Sequence, residues 1–89
     1  MVRVALVRED ARAVVFAVDV EEGASATHHE VTASRADVSR LARVGEAPVQ
    51  LIERCFAFLL EREPKESILR RFDVSVISRY FPDFERTIR

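Results

Sequence analysis

The chain opens on an alternation of period two. Val2, Val4 and Leu6 are interleaved with Arg3, Ala5 and Val7, the spacing of a strand with one covered face. Glu9, Asp10 and Ala11 make a polar turn. Val14, Phe16, Val18 and Val20 then define a second strand with a clear inner face. Glu21-Glu22-Gly23 break it, and Gly23 is the natural place for a residue with positive φ. A third strand is expected near Thr27 to Ala33, with His29, Val31 and Ala33 on one side. Short links between consecutive strands favour an antiparallel meander, packed on one face and wet on the other.

At Ser34 the period changes. Ser34 and Asp37 form a weak capping box, a shorter Asp standing where Glu is usual. A helix over 35–43 places Val38, Leu41 and Ala42 inward, and Gly45 fits its stop. Pro48 suits the first turn of a new helix, where its missing N–H costs little. This main helix is expected to run to Arg62. Ile52, Cys55, Phe56 and Leu59 form its stripe, widened by Leu51, Phe58 and Leu60. That arc is wider than one sheet contact needs, so short C-terminal helices or a second subunit must cover the remainder. Pro64 ends the helix. Ser67 to Phe72 reads as a helical turn with Ile68, Leu69 and Phe72 inward. Asp73 reads as the N-cap of a last helix, Val74 to Tyr80, which buries Val76, Ile77, Tyr80 and Phe81. Phe84 and Ile88, four apart, fit a tail docked on the core.

The fold expected is therefore α+β, one domain over 1–89. A three-stranded antiparallel β-meander (1–33) packs on a main helix and is followed by short C-terminal helices (34–89). Leu6, Phe16, Val18, Val31, Ile52, Phe56, Leu59, Ile68, Phe72, Ile77 and Tyr80 are its expected buried anchors.

Composition narrows the function more than the fold. With 48% hydrophobic and 33% charged residues and a net charge of −1, the chain has a globular composition and no global field toward nucleic acid or anionic lipid. Its basic residues are thirteen Arg and the single Lys65, interleaved with acids as on a solvated surface. One cysteine, Cys55, excludes an intrachain disulfide and a cysteine-rich metal site. Met1 leads straight into a strand pattern, and unbroken apolar runs such as Phe56 to Leu60 are far short of the ~20 residues of a membrane helix. A cytoplasmic setting is expected.

Residues 58–85, FLLEREPKESILRRFDVSVISRYFPDFE, carry a resemblance. They are similar to the end of a group of small stand-alone bacterial proteins of uncharacterised function, in which a short β-meander precedes this helical signature. Weaker similarity extends upstream through HEVTAS and the Pro48 helix. The resemblance implies the meander-then-helix order and no chemistry, so it assigns no catalytic or binding residue. Physically, Glu61, Arg62, Glu63, Lys65 and Glu66 read either as surface ion pairs over a helix–Pro–helix corner or as the polar rim of an apolar interface made by Phe58, Phe81 and Phe84.

Motif chemistry is sparse. With only Gly23 and Gly45 no phosphate-cradling loop can be built, and HExxH and CxxC are absent. His28 and His29 are adjacent on a strand and face opposite ways, so they cannot together chelate one metal. Cys55 lies on the buried stripe, where a thiol behaves as a small hydrophobe. No catalytic, metal, cofactor or small-molecule site is therefore expected. The leading expectation is a non-catalytic module for protein interaction or self-association, a dimer included. The alternative is a nucleic-acid-binding regulator using Arg70, Arg71, Arg79, Arg86 and Arg89. It is weakened by a net charge of only +1 over 61–89 (seven basic, six acidic) and by few polar base-reading side chains at the start of the last helix.

Overall fold

The computed structural model describes all 89 residues. Three long strands come first: β1 (Val2–Glu9), β2 (Ala13–Glu22) and β3 (Ser25–Ser34), joined as an antiparallel meander. The first link is an Asx turn, in which the Asp10 carboxylate accepts from the N–H groups of Arg12 (2.7 Å) and Ala13 (2.9 Å). These two bonds hold the Asp10 carboxyl below its usual pKa. The second link is the two-residue turn Gly23-Ala24. Gly23 sits at φ 61°, as the first central residue of a type II′ hairpin requires.

The alternation predicted for β2 and β3 is what packs. Val14, Phe16, Val18 and Val20 face the core opposite Ala33, Val31, His29 and Thr27. Helix α1 (Arg35–Leu41) follows β3 directly, with the Ser34 hydroxyl accepting from the Asp37 N–H at 3.0 Å. Ala42 is already extended, so α1 stops two residues short of the expected Arg43. Helix α2 (Pro48–Leu60) carries Pro48 in its first turn, and the Gln50 side chain accepts from the Ala47 N–H at 2.9 Å. Its stripe of Leu51, Ile52, Cys55, Phe56, Phe58 and Leu59 is buried. One cluster of 19 apolar side chains joins this stripe to the sheet and to the C-terminal segments.

The structure corrects the sheet. It has four strands in the order β1-β2-β3-β4, and β4 (Arg71–Asp73) runs parallel to β3, so the sheet is mixed rather than a three-stranded meander. The segment read as a helical turn, Ser67 to Phe72, is instead one 3₁₀ turn at Lys65–Ser67, an extended link and the start of β4. Ile68 and Phe72, four apart, fit a helix. Phe72 and Val74, two apart and both buried, fit a strand, and pairing with β3 decides between them. The Glu30 N–H donates to the Arg70 carbonyl at 2.7 Å, and Phe72 lies opposite Val31. β3 and β4 are thus bridged by α1 and α2, a crossover that parallel neighbours require.

Asp73 does cap the next turn, accepting from the Ser75 N–H at 3.0 Å. That turn is 3₁₀ over Val74–Val76 before α3 (Ile77–Tyr80) begins. α4 (Phe84–Ile88) closes the chain with Phe84 and Ile88 buried, the docked tail expected from their spacing.

Two expected anchors are not buried. Leu6 is 43% exposed and Tyr80 66%. Leu6 lies on the edge strand, where no outer neighbour completes the core and a bulge between Leu6 and Arg8 shifts the register. α3 is a single turn and has room for one inward side chain, which Ile77 takes.

Candidate apolar groove

The three residues proposed as a partner surface pack against one another, with two of them in the interior. Phe58 and Phe84 are 3% and 1% exposed and stack edge to face with centroids 5.1 Å apart. The part-buried Phe81 meets Phe58 in the same way at 5.8 Å. Arg62 closes the remaining side, its guanidinium 3.6 Å from the Phe58 centroid and donating to the Phe58 carbonyl at 3.0 Å. Phe58 and Phe84 therefore belong to the interior that docks α4 on α2, and they offer a partner nothing.

The apolar surface lies around the corner. A groove of about 170 Å³ runs between the end of α2 and the C-terminal turns. Leu59 and Ile68 form its floor with Phe72 and Ile77, and Leu69, Val76, Tyr80 and Phe81 line its sides. Leu69, 48% exposed, and Tyr80 leave large apolar side chains open to solvent. Every lining residue falls within residues 58–85.

Two lining residues are polar, Ser67 and Glu63. Partial burial raises the Glu63 carboxyl above its usual pKa. No cation pairs with it, whereas Glu61 meets Arg62 and Glu66 holds Lys65 at 2.8 Å. Sequence inspection grouped Glu63 with these neighbours as one charged rim. Only the turn after Leu60 shows that it points toward apolar neighbours.

His29, predicted to be the more buried histidine, faces the core beside Phe56, with centroids 5.4 Å apart. Its Nδ1 lies 2.8 Å from the Leu69 carbonyl, which can only accept, so Nδ1 carries the proton. Nε2 then accepts from the Thr27 hydroxyl at 2.9 Å. Nδ1 ties β3 to the segment that leads into β4, and Nε2 is held within β3, so both nitrogens are engaged. His28 is exposed, its Nδ1 donating to Asp19 at 2.7 Å. That pair lies in a wide depression on the outer sheet with Ala17, Glu30, Arg70 and Arg71.

Burial pushes the Cys55 thiol up to about 12, far from a reactive thiolate. No three His, Cys, Asp or Glu side chains converge as metal ligands, and no helix is long and apolar enough to cross a membrane. Of the arginines proposed for nucleic acid, Arg71 pairs with Glu30 at 3.3 Å. Arg70, Arg79, Arg86 and Arg89 are exposed. No family model, curated protein or solved structure matches the chain.

Proposed function

We propose that the chain is a non-catalytic, cytoplasmic protein-interaction module, and that the groove beside α3 is its working surface. The carrying observation is that eight of ten lining residues are apolar while Leu69 and Tyr80 stay open to solvent. Such a small domain gains from covering apolar area, at roughly 25 cal/mol per Å². The occupant that fits is a short apolar segment with a basic residue beside it. Its side chains fill the groove, and its cation meets the otherwise unpaired Glu63.

Leu69→Asp combined with Tyr80→Glu tests this reading without entering the core. In cell extract the native protein should elute as a complex with a partner, and the double variant should elute free with an unchanged circular dichroism spectrum. Equal elution of the two proteins contradicts the groove as the working surface.

A further inference from the structure

We propose that β1 is the contact through which a second copy of this chain joins the sheet. The proposal rests on the reading of the chain as an association module and extends it to a surface apart from the groove.

Backbone geometry is the starting point. The Met1 amino group donates to the Glu21 carbonyl at 2.6 Å, and the Glu21 N–H returns a bond to Met1 at 2.8 Å. Met1 and Glu21 are thus a hydrogen-bonded pair. Such pairs alternate along an antiparallel ladder, so Arg3 and Ala5 turn their backbone groups toward β2. Val2, Val4 and Leu6 turn theirs outward, where the sheet has no further strand. Unpaired edges of this kind template another strand.

Side chains point the same way. Val2, Val4 and Leu6 lie opposite Val20, Val18 and Phe16, all fully buried, so they share the core face. Yet Val2 and Val4 are only part-buried and Leu6 is 43% exposed. The core is left unfinished along this edge. The opposite edge is β4, only three residues long, which is how sheets blunt an edge.

Regular β1 structure before the bulge spans Val2 to Leu6. A two-fold pairing of that span on itself is centred on Val4. It sets each Val4 against its counterpart and Leu6 against Val2 of the second copy, each such pair exchanging two N–H···O=C bonds. On the other face Arg3 falls opposite Ala5, so no like charges meet. Centring on Leu6 instead would set Val4 against Arg8 and run into the bulge. The resulting sheet is continuous and closed by symmetry, with the short β4 at both ends.

Two variants test the pairing. In Val4→Pro the missing N–H is an outward one, so the bond to β2 is spared while the dimer ladder is interrupted. Leu6→Lys places a charge on a side chain that is already solvent-accessible. Sedimentation equilibrium from about 1 μM to 1 mM should show native chains dimerising and both variants weakened at least about tenfold, with native-like circular dichroism. A native monomer at the top of the range overturns the pairing. So does a dimer that persists in both variants. Neither result touches the groove, which Leu69→Asp/Tyr80→Glu tests separately.

Discussion

Arg54 shows how one residue can hold several segments. Its Nε and Nη2 bind the two Glu46 oxygens at 2.6 and 2.7 Å, Nη2 also donates to the Leu41 carbonyl at 3.2 Å, and Nη1 donates to the Ile88 carbonyl. One guanidinium thus joins the end of α1, the α1–α2 loop and the tail to α2. The fork shape of Arg, which Lys lacks, permits this. The Arg54 bond pulls the Glu46 carboxyl below its usual pKa. An acid lowered in the folded state adds stability above its unfolded pKa, which is lost as pH falls through the folded value. Glu46→Gln should therefore cost about 1–3 kcal/mol at neutral pH and flatten the acid limb of stability below about pH 5. Thermal melts from neutral to acid pH check this, and parallel losses in both proteins would contradict it.

At the scale of elements, local chemistry was legible and long-range pairing was not. The meander, Gly23, the Ser34 and Asp73 caps and the Pro48 start each rest on residues close in sequence, and each is present. β4 rests on a partner some forty residues upstream, Val31 opposite Phe72, and three residues carry no period of their own. Phe58 and Phe84 were legible as large apolar anchors. The docking of Phe84 was legible from its spacing with Ile88; the burial of Phe58 was not, because its cover comes from Arg62 folding over the ring and Phe84 of α4 packing against it. The groove was not legible because Leu69 reads as part of a helical turn that does not form, and Tyr80 as an inward residue of a helix that is only one turn long. β4 is anchored by Phe72, whose ring sits 6.1 Å from Phe56. Phe72→Ala should cost about 3 kcal/mol and speed hydrogen exchange at the Glu30 amide, which is bonded to Arg70. Exchange at the Val18 amide should rise only with global unfolding. Equal acceleration at both sites would mean that β4 has no separate opening.

In the whole molecule, one face of the sheet and the α2 stripe complete a core, while two apolar regions stay open: the groove and the β1 edge. They involve different elements, so a chain could meet a second copy through β1 and a partner through the groove together. The most direct test of the groove as the working surface is photo-crosslinking in cells. A photoreactive phenylalanine analogue would replace Tyr80, with the same substitution at exposed Glu53 on α2 as control. A discrete crosslinked protein from position 80 and none from position 53 is the expected result. Equal or absent crosslinking at both positions would contradict the groove as a binding surface.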